Sequence, residues 1–76
     1  MTAQKQKNLR SVFAHNLRKL RLSKNLSQEK LAELSGLHRT YVSSVERCER
    51  NITLETVERF AAALDADPIG LLTKEK

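Results

Sequence analysis

Apolar side chains recur every three or four residues along this chain, the period of helices that bury one face. Leu9, Val12, Phe13, Leu17 and Leu20 follow it first and predict a helix over roughly residues 9–24, with Asn25 as a left-handed stop. Ser27 then reads as an N-cap, and Glu29 falls in the first turn, where an acid complements the helix dipole. A second helix over roughly 28–35 offers Leu31, Ala32 and Leu34 as apolar contacts. Gly36 can take the positive φ of a tight turn. A third helix starts near Arg39 with Val42 and Val45 facing inward, and a charged loop follows at 48–52. Thr53 caps a fourth helix with the stripe Leu54, Val57, Phe60, Ala61 and Leu64. Asp67 and Pro68 open a short fifth helix carrying Ile69, Leu71 and Leu72. No segment alternates with the period of a strand. The expectation is an all-α chain of five short helices. Residues 1–8 are read as a flexible polar tail and 9–76 as one domain.

Seventy-six residues leave a small core of marginal stability. A single cysteine excludes a disulfide framework. His15, His38 and Cys48 lack paired-ligand spacing, so no metal site is expected. Tight helix packing or dimerisation must supply what the core lacks. The lone cysteine fits a reducing cytoplasm. No apolar run reaches the length of a membrane span or opens the chain as a signal peptide would, so the expected location is cytoplasmic, without membrane contact.

The net charge of +5 is unevenly spread: residues 1–25 carry seven bases and no acid, and the remainder seven bases and nine acids. A basic front end on a near-neutral body fits a polyanionic partner; a solvated helix face with a solubilising tail fits the charge alone equally well. The three aromatics, Phe13, Tyr41 and Phe60, are too few for base-stacking platforms, which favours duplex DNA over single strands or RNA.

The stretch SQEKLAELSGLHRTYVSSVER at 27–47 concentrates the chemistry. Two short helices meeting at a glycine-containing turn let the second project into a major groove. Side chains at its N-terminal half then read base edges. Arg39 can donate twice to guanine O6 and N7. Thr40 can donate, accept or touch a thymine methyl, and Ser44 lies one turn on. Ser43 and Ser44 are weak helix formers on a polar face, which also fits DNA contact. Tyr41 either packs under the second helix or reaches DNA with its hydroxyl.

These residues, with RNITLETVERFAAALDADPIGLL after them, resemble the Cro and phage-repressor type of helix-turn-helix over roughly residues 9–73. Gln28, Leu31, Ala32, Gly36, Val42 and Glu46 fall in the family register. Arg39-Thr40-Tyr41 and Arg47 through Leu54 are most similar to the controller proteins of restriction–modification systems. The resemblance implies a lambda-repressor-like fold and a dimeric transcriptional regulator, activator or repressor, on palindromic DNA. It implies base reading by Arg39, Thr40 and Ser44, with Tyr41 and Ser43 beside them. It assigns phosphate contacts to Gln28, Arg47 and Arg50 and a largely buried ion pair to Arg21 and Glu46; Asn51 beside Arg50 and His38 ahead of the third helix are further phosphate-contact candidates. Glu29 and Glu33 align with an acidic patch that some phage repressors use to touch RNA polymerase, although helix N-terminal charge preference accounts for them too. Two departures stand out: His38 replaces a better helix cap, and Cys48 replaces a common glycine, so the third helix is expected to end differently.

Phe60, Leu64, Ile69, Leu71 and Leu72 exceed what one small core needs, and part of this stripe is expected to form a homodimer face. A dimer would read two half-sites about 34–36 Å apart. The rival reading is an antitoxin or other protein-interaction module with secondary DNA binding. No phosphate loop, activated nucleophile or metal cluster points to an enzyme, and neither cofactor nor small-molecule ligand is expected.

Overall fold

In the computed structural model, which describes residues 8–74, five helices follow one another: α1 (Leu9–Ser23), α2 (Gln28–Ser35), α3 (Arg39–Glu46), α4 (Leu54–Ala63) and α5 (Pro68–Leu71). No strand occurs among the described residues, and none of their helices is long and apolar enough to cross a membrane. Four helices start on a side chain that accepts from the exposed backbone N–H of the first turn. Asn8 accepts from Ser11, Ser27 from Lys30, Thr53 from Thr56 and Asp67 from Ile69. Asn8 therefore belongs to α1 rather than to the tail. The rest of that tail, residues 1–7, lies outside the described residues.

The ends of α1 to α4 share one device. Asn25, Gly36, Cys48 and Asp65 have φ of 58°, 73°, 63° and 53°. The next residue then donates back five positions: Leu26 to Arg21 O, Leu37 to Ala32 O, Glu49 to Ser44 O and Ala66 to Ala61 O, at 2.8–3.1 Å. This left-handed termination satisfies carbonyls that the helix leaves open. The expectation that Cys48 changes the end of α3 does not hold. The end is kept, and Cys48 takes the strained conformation that glycine adopts without cost.

Phe13 and Leu17 of α1 pack with Leu31 and Ala32 of α2, Val42 and Val45 of α3, Val57, Phe60 and Ala61 of α4, and Leu64 at its C-cap. The Phe13 and Phe60 rings lie 6.0 Å apart, tilted by 45°. Leu71 closes the cluster from α5. Asn16 on α1 ties down the end of α5 by donating to the carbonyls of Leu71 and Thr73 at 2.9 and 3.0 Å.

Several expected core positions lie outside. Leu34 is 48% exposed, because the buried face of α2 is set by Leu31, Ala32 and Ser35. Leu9 and Leu54 are also exposed, since each stands at the first residue of its helix, beyond the packed turns. Conversely, Phe60, Leu64 and Leu71 are at most 4% exposed and belong wholly to the core, so they cannot form a dimer face. Of that stripe only Ile69 is exposed and Leu72 half-buried.

Relieving the strain at Cys48 should stabilise the fold. Cys48→Gly is expected to add about 1 kcal/mol to unfolding in denaturant, the usual scale of the left-handed penalty after the entropy of glycine is subtracted. A lowered midpoint would show that the Cys48 side chain contributes more by packing than its backbone loses.

Candidate nucleic-acid interface

The turn between α2 and α3 spans three residues, 36–38, and its geometry rests on Gly36. A Cβ there would meet Arg59 Nη1 at 3.3 Å as well as strain the backbone. His38 precedes α3 as a cap without a side-chain hydrogen bond and is exposed. Arg39 and Thr40, the first two residues of α3, are also exposed. Val42 and Val45 hold the opposite side of the helix in the core. Arg39, Thr40, Ser43 and Arg47 from α3 and its end face Gln28 and Glu29 from α2 across one polar surface groove. α3 thus presents long polar side chains at its start while its inward face fixes the helix in orientation.

Beneath the groove sits an ion pair. Arg21 donates to Glu46 through Nε at 2.7 Å and Nη2 at 3.0 Å. The two side chains are 8% and 2% exposed. Arg21 Nη1 donates to the Leu26 carbonyl at 2.7 Å, and Gln28 Nε2 to Glu46 Oε1 at 3.0 Å. The cluster joins α1, the α1–α2 turn, α2 and α3. A charge pair this dry needs such additional bonds to offset its desolvation. Gln28 spends one amide hydrogen on Glu46 and keeps a second.

At the far end of α3, Arg47 is tethered to the Ser43 hydroxyl and to Glu49 Oε1 at 3.0 Å. The hydrogen bond from Arg47 holds the Glu49 carboxyl below its ordinary range, and the same bond raises the guanidinium. Both groups are about half exposed, so the pair contributes little to stability and leaves Arg47 within reach of a ligand. Arg50 lies over the Tyr41 ring at 5.6 Å. Asn51 Oδ1 accepts from Arg10 Nη1 at 2.5 Å, which binds the loop to the start of α1.

One expected contact needs correction. Ser44 is only 5% exposed, and its hydroxyl donates to the Tyr41 carbonyl while accepting from Arg50 Nε. In this chain it is not an exposed base-reading side chain, because the turn of α3 that carries it rolls under the loop at 48–52. Tyr41 is half-buried against the core, with Arg50 covering its ring. Glu29 stands in the groove wall, and Glu33 pairs with Lys30 at 3.4 Å. Arg10 and Glu49 were not among the sequence candidates. Only the basic front end hinted at Arg10, and nothing local marks Glu49 as a tether.

A family model described as helix-turn-helix matches residues 17–71. The chain belongs to that family. Among its helix-turn-helix relatives is control protein C.SmaI of Serratia marcescens, 52% identical over 67 residues that cover 88% of this chain and 80% of that one. The crystal structure of the restriction-modification controller protein C.AhdI from Aeromonas hydrophila is similar with a TM-score of 0.79 and 50% identity, over 82% of this chain and 94% of that one. The controller protein C.Esp1396I, solved as a tetramer in complex with its natural 35 base-pair operator, matches with a TM-score of 0.79 and 35% identity, over 87% of each chain.

The Arg21–Glu46 cluster makes a two-step stability prediction. Arg21→Met strands Glu46 without its counter-ion and should cost about 3–5 kcal/mol, whereas adding Glu46→Leu should recover much of that loss. Urea melts of the two single variants and the double variant check this; a double variant as unstable as the sum of the singles would refute it.

Proposed function

We propose that this chain is a sequence-specific DNA-binding transcriptional regulator, acting in the cytoplasm as a homodimer on palindromic operators and serving as the controller of a restriction–modification system. The observation that carries the reading is the exposed pair Arg39 and Thr40, projected from the start of α3 by the Gly36 turn. It stands in a chain whose helix-turn-helix relatives include a controller solved on its operator. Arg39 has the fork to bind guanine O6 and N7 together, and Thr40 beside it can meet a second base. Gln28, His38, Arg47, Arg50 and Asn51 flank these two and supply phosphate contacts, which set affinity and orientation rather than sequence choice.

Self-association leaves the buried part of the sequence stripe, Phe60, Leu64 and Leu71, and keeps only Leu72 beside a neighbouring apolar surface. Leu9, Ile52, Leu54 and Leu72 line one apolar groove, and Leu54 is 77% exposed. A chain of this size gains by covering such a patch, and a two-fold dimer matches the two half-sites of a palindrome. The exposed acids Glu29 and Glu33 on α2 supply a candidate RNA polymerase contact beside bound DNA.

Arg39→Ala is expected to cost about 1–3 kcal/mol on the operator and to flatten the preference over a shuffled duplex. Mobility shifts on the DNA upstream of the chain's own gene, at two salt concentrations, measure both. Unchanged affinity and preference would misplace the recognition helix. For the dimer, Leu54→Arg should give a monomer in sedimentation at micromolar concentration and remove cooperative operator binding; a variant that still sediments as a dimer would move the interface elsewhere.

A further inference from the structure

Ser44 has two hydrogen bonds that only a hydroxyl can make together. Its proton goes to the Tyr41 carbonyl at 2.9 Å, so its lone pairs are left to accept from Arg50 Nε at 3.1 Å. The bond to the helix backbone thereby aims the acceptor. Arg50 in turn sits with its guanidinium carbon 5.6 Å from the Tyr41 ring centroid. A hydroxyl at Nε and an aromatic ring beneath Cζ are thus the two groups that fix the position of the guanidinium. Ser44 engages Nε alone, so that bond leaves the terminal nitrogens for a further partner. Arg50 itself is exposed although its anchor is buried.

We infer that Ser44 is a positioning residue for DNA binding: its buried hydroxyl locks Arg50 over Tyr41 and presents the terminal guanidinium nitrogens to a backbone phosphate. The inference rests on the proposed backbone contact by Arg50. An unanchored arginine loses rotamer freedom when it binds, and a held one has already lost it. Because a phosphate contact carries no base information, the anchor should raise affinity for every duplex alike. Tyr41 enters as the platform for the cation, which gives its half-burial a purpose beyond packing.

The test is a double-variant cycle read by anisotropy of labelled operator and shuffled duplexes across a salt series. Ser44→Ala preserves α3, since alanine is the smaller residue and the better helix former. It is expected to weaken both duplexes roughly three- to tenfold, the scale of one hydrogen bond. Arg50→Ala should weaken both and lower the salt slope by about 0.9. The variant carrying both changes should bind no worse than Arg50→Ala. In the NMR spectrum, Arg50 side-chain protons should be shifted upfield by the Tyr41 ring and should lose that shift in Ser44→Ala.

An effect of Ser44→Ala that adds in full to Arg50→Ala, or that falls on the operator alone, would make Ser44 an independent contact and overturn the inference. So would an unchanged ring shift, or normal binding by Ser44→Ala when Arg50→Ala is impaired. Normal binding by Arg50→Ala would instead remove the backbone contact itself, and the inference with it.

Discussion

The contact between Arg21 and Glu46 is the constraint on which the rest depends. It is a forked, nearly dry ion pair between α1 and α3, and each partner holds a further group: Arg21 the Leu26 carbonyl, Glu46 the Gln28 amide. Such a pair contributes little by itself, because desolvation offsets attraction. Its directionality matters more. An apolar cluster of this size tolerates small rotations of a helix, whereas two hydrogen bonds across a guanidinium do not. The orientation of α3, and so the direction in which Arg39 and Thr40 leave it, is tied to α1 through this one contact. Gln28 is positioned by the same carboxylate, so the start of α2 and the face of α3 share one anchor.

The cations beyond that anchor are tethered in graded ways. Arg47 is held by a hydroxyl and an exposed acid, Arg50 by a buried hydroxyl and a ring, and Arg10 by the Asn51 amide. None of these tethers neutralises its arginine in a dry site. Each limits the arc over which the charge moves while leaving it near the surface. That arrangement suits a polyanion, whose affinity rises with the number of cations engaged and falls with the freedom they lose on binding. Four helix ends with the same left-handed termination keep the connections short. The loop bearing these side chains therefore has little slack.

Much of this could be read in the sequence because it depends on neighbours along the chain. Ser27, Thr53 and Asp67 cap the helices expected of them, and Asn25 and Gly36 take positive φ. Val42 and Val45 turn inward on α3, as their spacing predicts. The misreadings share a cause. Leu34, Leu54 and Leu9 match the helical period but fall at helix starts or off the packed face, where no neighbouring element waits. Period alone cannot tell a core leucine from a surface one when the helix has only two or three turns. Likewise Ser44 sits one turn after Thr40, yet the loop at 48–52 folds over it.

What the sequence determined by itself is the number of helices and most of their caps, the glycine turn between α2 and α3, and the choice of Arg39 and Thr40 as the residues at the start of α3. Those follow from local hydrogen bonding, backbone freedom and periodic burial, which act over a few residues. Only the tertiary structure decided that Phe60, Leu64 and Leu71 close the monomer core while Leu54 and Ile69 stay outside. It also decided that Ser44 anchors Arg50 and that Asn51 meets Arg10 forty-one positions away. Burial and pairing at those positions depend on which elements pack side by side, and no local preference carries that information.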